Sequence, residues 1–173
     1  MLRWAVYEQE GPVAIRYPRG GDRAYQESAW DPFSVLENNG ALCCHRKGDD
    51  VTIVTYGTAL QNAMEAADIL AGQGISATVL RLQTLSPLPV DLVMQHLSAK
   101  RHVVVVEEVC AGSGIRQDLA WAISHRDSNA KVDGIDLGHR FVPHGAVDTL
   151  YRHCGLDGES IAKFVQEVRE NES

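Results

Sequence analysis

No apolar run in the sequence approaches the ~20 residues that a membrane-spanning helix needs, so no span is expected. Basic residues are in the minority. Sixteen Lys and Arg against 23 Asp and Glu leave a formal net charge of −7. That is the wrong sign for a nucleic-acid partner, whose phosphates need a basic face. The opening residues, Met-Leu-Arg-Trp, lack the apolar stretch of a signal peptide. The cysteines are Cys43, Cys44, Cys110 and Cys154. They fit neither a zinc pattern nor a disulfide framework, and adjacent residues such as Cys43 and Cys44 rarely pair. Free thiols and a cytoplasmic location are therefore expected. Internal repeats and low-complexity segments are missing too. No serine sits in a nucleophile elbow. His139 and His144 bracket Arg140-Phe141-Val142-Pro143 without a Cys or carboxylate to complete a metal set, so no metal site is assigned.

What remains is a chain of 173 residues, enough for one domain with a real core and a short appendage. The stretch from Val51 to Leu82 organises it. Val51 to Tyr56 is rich in β-branched residues, as a strand buried on both faces would be. Thr58 is placed to cap a helix start. Leu60, Ala63, Met64, Ala67 and Leu70 then recur at helical spacing. Gly72 and Gly74 supply left-handed positions to end that helix. Ala77 to Leu82 reads as a second buried strand. Strand, helix, strand is a βαβ unit, and a domain grown from it is an α/β layered sheet.

Residues 1–10 suit a short helix, with Leu2, Ala5 and Val6 on one side and Gly11-Pro12 as its break. Val13 to Tyr17 reads as a strand. Residues 21–40 have no period and read as a linker, pinned by Trp30, Phe33, Val35 and Leu36. Ala41 to His45 reads as a strand that Lys47-Gly48-Asp49-Asp50 turns back against the organising strand, as an antiparallel edge. Pro89 opens a helix with Val90, Val93, Met94 and Leu97 inward. Val103 to Val106 is the most apolar run and reads as a central strand. Ile115, Leu119, Ala122 and Ile123 line the next helix, and Val132 to Leu137 forms a weaker strand. Two short helices close the chain, one carrying Val147, Leu150 and Tyr151 and the other Ile161, Phe164, Val165 and Val168. The order predicts a three-layer α/β domain, with a mostly parallel five-stranded sheet and one antiparallel edge strand.

Several residues carry possible chemistry. Arg16 and Arg19 flank a Gly-rich turn and suit phosphate or carboxylate, though spacing alone favours solvated arginines. Gly112-Ser113-Gly114 sits between strand and helix, like an anion cradle. Gln117 stands where a dinucleotide fingerprint has its third glycine, and Glu107 and Glu108 just before it would repel a phosphate. A tight turn is the better reading there. Glu107 and Glu108 end a central strand, where α/β proteins place ligands. Acid–base work weighs equally for them against a contact to another chain or domain or a helix-start charge favoured by the dipole.

Taken together, these motifs resemble a known family. Gly11-Pro12-Val13-Ala14-Ile15-Arg16-Tyr17-Pro18-Arg19-Gly20 resembles the end of the pyrimidine-binding domain of the 1-deoxy-D-xylulose-5-phosphate synthases, thiamin-diphosphate enzymes of the transketolase superfamily. The organising unit resembles the start of their C-terminal domain. Thr84 to Leu88, Val105-Val106-Glu107-Glu108, Phe141-Val142-Pro143-His144-Gly145 and Gly155-Leu156-Asp157 to Ile161 resemble its later motifs. Transketolase and the 2-oxo-acid dehydrogenase β subunits share that fold but usually lack Ile-Arg-Tyr-Pro-Arg-Gly.

The resemblance implies three segments: a remnant of the pyrimidine-binding domain over 1–20, a linker over 21–40, and a transketolase C-terminal-like domain over 41–173. It implies a cytoplasmic transferase of isoprenoid precursor synthesis that joins pyruvate to glyceraldehyde 3-phosphate with loss of carbon dioxide. The cofactor would be thiamin diphosphate with Mg²⁺, which supplies the electron sink while the protein orients the acceptor. In the family a Gly-Asp-Gly motif and a middle-domain glutamate handle that cofactor. This sequence has no Gly-Asp-Gly, so the chain alone is expected to bind no cofactor, and no catalytic residue is assigned. The expected partners are the missing N-terminal and middle domains and a second subunit in a homodimer. Arg16 would meet the substrate phosphate. The family's second phosphate arginine falls on Gln83, with Arg81 two residues earlier on the same strand face as its substitute. Glu107, Glu108, Gly112, Gly114 and His144 are the expected crevice or interface. The alternative is a free-standing ligand-binding or regulatory module on the same fold.

Overall fold

Two strands of consecutive buried residues, Val51–Thr55 and His102–Val106, set the architecture. They lack polar alternation because helices cover both of their faces. This computed structural model describes residues 2–15 and 40–170. Helix α1 (Leu2–Tyr7) comes first. From residue 40 the order is β1 (Leu42–Arg46), β2 (Val51–Thr55), α2 (Leu60–Gly72), β3 (Ala77–Leu82), α3 (Val90–Gln95), β4 (His102–Val106), α4 (Arg116–Ser124), β5 (Lys131–Ile135), α5 (Val147–Cys154) and α6 (Gly158–Glu170). The strands lie in the order β1-β3-β2-β4-β5. Every neighbouring pair is parallel except β1 with β3. This is the five-stranded sheet with one antiparallel edge that the sequence predicts.

Each face has its own core. On one, Leu60, Ala63, Met64, Ala67 and Leu70 of α2 and Ile161, Ala162 and Val165 of α6 pack on Ile53, Val79 and Val104. On the other, Val93 of α3 and Leu119 and Ile123 of α4 cover Leu80, Val103 and Val105. Burying one such aliphatic side chain contributes about 1.5–3 kcal/mol. Asn62, buried in α2, donates from Nδ2 to the Leu156 carbonyl at 2.7 Å and ties α2 to the α5–α6 turn. Gly158 lets α6 approach α2, since a Cβ there would lie 2.7 Å from Glu65 Cβ.

Four expectations are corrected. First, β1 is the antiparallel edge, but its partner is β3 and not the organising strand β2. The 47–50 segment does not form a hairpin. It crosses the amino end of β3, where Gly48 N–H donates to Thr78 Oγ1 at 2.9 Å and Asp50 N–H to the Ser76 carbonyl at 2.9 Å. Second, Thr58 caps no helix, because a short 3₁₀ turn, Gly57–Ala59, comes between β2 and α2. Third, Gly74 takes the left-handed position (φ +78°), whereas Gly72 is the last residue of α2. Fourth, residues 13–15 are irregular and not strand. Arg16 and Tyr17 lie outside the described residues, as do Arg19, Trp30, Phe33, Val35 and Leu36.

Candidate functional site

The carboxyl ends of β2, β3, β4 and β5 share one edge of the sheet, joined there by the start of antiparallel β1, where Leu42 faces Leu82. The chain leaves β2 through α2 toward β3 on one side and returns through α3 to β4 on the other. The loops after β2 and β4 therefore part, and such a point is where doubly wound sheets take ligands.

Tyr56 and Thr58 follow β2 at this point, and Glu107 and Glu108 follow β4. Alternation separates the two glutamates. Glu107 is 2% exposed and points inward, whereas Glu108 is exposed. The Glu107 carboxylate accepts from the Ile115 N–H at 2.9 Å, the Arg116 N–H at 3.4 Å and the Tyr56 hydroxyl at 3.2 Å. A carboxylate thus sits on the N-terminus of α4, where the helix dipole favours it. Burial, then the nearby Glu107 charge, pushes the Tyr56 phenol up to about 12, so it stays a donor. Gly114 belongs to the same clasp, because a Cβ there would come 2.1 Å from Glu107 Oε2. Gly112 has φ +77° and open space about it. Gly112-Ser113-Gly114 is therefore a turn wrapped round an internal anion, and the helix terminus is already filled.

Glu108 does different work. Its Oε2 accepts from Thr58 Oγ1 at 2.9 Å and from the Tyr151 hydroxyl at 3.1 Å, which joins β2, β4 and α5 at the surface. His144 is exposed on the loop before α5. Among the described residues no hydrogen bond or ion pair links it to Glu107, Glu108, Gly112 or Gly114. Tyr56, Thr58 and Tyr151 carry no motif of their own. Their partners lie 51, 50 and 43 residues away, so nothing local announces them.

Arg81 and Gln83 form a second group, with β2 between them and Glu107. Arg81 is half-buried and faces Cys43 on β1 and Thr55 on β2. Among the described residues no carboxylate pairs with it, and its buried Nε meets no acceptor. In the amide orientation that satisfies both ends, Gln83 accepts from Arg81 Nη2 at 3.3 Å and donates to the Gly40 carbonyl at 2.6 Å. His45 stands in the bulge of β1. Burial first, then the Arg81 charge, lowers it to about 4, so it is neutral at pH 7. A half-buried guanidinium with no carboxylate partner among the described residues suits an oxyanion.

A diphosphate held through a metal is another matter. Among the described residues no three His, Cys, Asp or Glu are grouped to hold a metal ion, and Glu107 occupies the N-terminus of α4. The described residues thus do not fit thiamin diphosphate.

Comparison with known proteins bears on the fold and the family. The transketolase, C-terminal domain, pattern matches residues 40–161. The 1-deoxy-D-xylulose-5-phosphate synthase of Chlorobaculum tepidum is 33% identical over 168 residues, covering 96% of this chain and 26% of that protein. The enzyme of the same name from Lysinibacillus sphaericus is 32% identical over 170 residues, again 96% and 26%. The chain thus spans about a quarter of the length of these relatives. Among solved structures, a split-gene transketolase, described as an inactive β4 tetramer, is similar with TM-score 0.61 and 26% identity. The match covers 73% of this chain and 41% of that one. A transketolase of Pichia stipitis shares the fold with TM-score 0.55 and 20% identity, over 73% of this chain and 18% of that one. The chain belongs to the transketolase C-terminal domain family.

Proposed function

We propose that the chain is the C-terminal part of a thiamin-diphosphate-dependent transferase of the 1-deoxy-D-xylulose-5-phosphate synthase type, one that joins pyruvate to glyceraldehyde 3-phosphate with loss of carbon dioxide. The observation that carries this reading is the reach of the similarity. It covers 96% of the chain, beyond the 40–161 domain and into the residues before it. That extent supports a pyrimidine-domain remnant over 1–20, a linker over 21–40 and a C-terminal domain from 41 on. The remaining domains, on this polypeptide or another, would bring the cofactor, its Mg²⁺ and the acid–base groups. The cofactor supplies the electron sink when bound there. This chain's share is to bind and orient. Arg81, with Arg16, would hold the acceptor phosphate. The exposed Phe141 and Val147, on the loop and helix that follow β5, would face the other domains or a second subunit. The split-gene relative, inactive as a β4 tetramer, supports a part that does not act alone. A free-standing module with a small ligand or partner in the crevice near Arg81, Glu107 and Gly112 has less support, because Glu107 already fills the helix terminus at the Gly112 end.

A chimera tests the reading. The chain replaces the matching quarter of the Chlorobaculum tepidum enzyme, and carbon dioxide release from pyruvate is followed with glyceraldehyde 3-phosphate present. The chimera is expected to turn over. Arg81→Ala in it is expected to raise KM for glyceraldehyde 3-phosphate about tenfold or more, the weight of one charge-assisted hydrogen bond, with KM for pyruvate unchanged. A folded chimera without activity would overturn the assignment.

A further inference from the structure

Gln83 stands at the end of β3 with both halves of its carboxamide engaged. In the amide orientation that satisfies both ends, the oxygen accepts from Arg81 Nη2 at 3.3 Å, and the nitrogen donates to the Gly40 carbonyl at 2.6 Å. The main chain reinforces this bridge, since the N–H groups of Gln83 and Thr84 both donate to the Ala41 carbonyl, at 2.9 and 3.2 Å. No donor of the Gln83 side chain is left for a ligand beyond the amide hydrogen that Gly40 leaves open. Arg81 is the reverse case. It carries a full charge, is half-buried, and has no carboxylate partner among the described residues. Its one polar side-chain partner there is the neutral amide, which fixes a guanidinium without cancelling its charge. Burial first, and then this charge, lowers the titration of the neighbouring His45.

We propose that Gln83 is a positioning residue. Its carboxamide clamps the Arg81 guanidinium to Gly40, at the start of the domain, and Arg81 supplies the charge that meets the anion. This rests on the reading of Arg81 as a phosphate-binding group and adds what holds it in place. A glutamate at the same position would also hold Arg81 but would neutralise it. A leucine would free it. The neutral amide does the first without the second.

Nitrogen-15 NMR of the full chain separates these cases through the Arg81 Nε–H resonance and the amides of Gly40 and Cys43. In phosphate-free buffer, Gln83→Leu is expected to shift and broaden the Arg81 signal, and Gln83→Glu to keep it sharp. Titrating inorganic phosphate, then glycerol 3-phosphate, is expected to move the Cys43 amide in the wild type. That response should weaken about tenfold in Gln83→Leu and vanish in Gln83→Glu. A preference for the ester over the free ion marks a sugar-phosphate site. Unchanged amide shifts in the strands of the core confirm that each variant folds. If Gln83→Leu leaves the Arg81 resonance as in the wild type, the proposal is wrong. If the resonance responds but phosphate moves nothing in the wild type, the clamp stands and the phosphate reading of Arg81 falls instead.

Discussion

His45 sits in the β1 bulge beside Arg81, and burial is the first cause of its low value of about 4, against 6.5 for the free side chain. Between these two values the unfolded chain binds the proton and the folded chain does not. Stability from this site is therefore complete above pH 6.5 and is lost as pH falls toward 4. The acids act lower. Hydrogen bonds from Ser76 hold Asp50 below its usual 3.8, and at Asp157 burial pushes up but the hydrogen bonds from Ser160 and from the backbone of Asp157 and Glu159 together outweigh it. Urea unfolding should thus show a falling midpoint from pH 6.5 to 4, and His45→Gln should flatten that slope. A variant with the wild-type slope would contradict the assignment. At this scale the sequence told only part of the story. Glu107 and Glu108 were legible as a pair at a strand end, but their division of labour depends on Tyr56, Thr58 and Tyr151, which are far away in sequence. Arg81 and Gln83 stood out as a departure from a familiar pattern. Their hydrogen bond to each other, and the one from Gln83 to Gly40, depend on how β1 and β3 pair.

Elements were easier to read, because periodicity is local. The α2 stripe, the unbroken apolar β4 and the inward residues of α4 all lie where their spacing places them. Pairing was harder. The 47–50 segment carries the composition of a hairpin turn, yet β3 lies between the strands on either side of it. Gly48 makes that route possible, since a Cβ there would come 2.5 Å from the Ser76 carbonyl carbon and 2.6 Å from Ala77 backbone atoms. The far edge is managed differently. Gly134 has room for no side chain, because a Cβ there would come 2.6 Å from both the Val105 carbonyl oxygen and Arg116 Cδ, and Arg116 donates to the Gly134 carbonyl at 3.2 Å and to Asp136 at 3.0 Å. An arginine laid over an edge strand discourages further pairing. These contacts give a pair of substitutions opposite signs. Gly48→Ala meets rigid backbone and should cost about 1–3 kcal/mol. Gly72→Ala stands in a helix with open space around it and should stabilise by up to about 1 kcal/mol. Thermal or urea unfolding checks both, and equal effects at the two sites would contradict the crossing described for residues 47–50.

At the scale of the whole molecule, the described residues hold a five-stranded layered sheet, and the chain spans about a quarter of the length of its relatives. Its large exposed apolar side chains include Phe141, Trp121 and Val147, and Glu107 already covers the helix terminus best placed for a phosphate. The account that joins these facts is a domain that orients an acceptor and meets other domains, while the cofactor is held elsewhere. Isothermal calorimetry of the isolated chain with thiamin diphosphate and Mg²⁺ tests that division most directly. The account predicts only heats of dilution. A saturable one-site isotherm would contradict it.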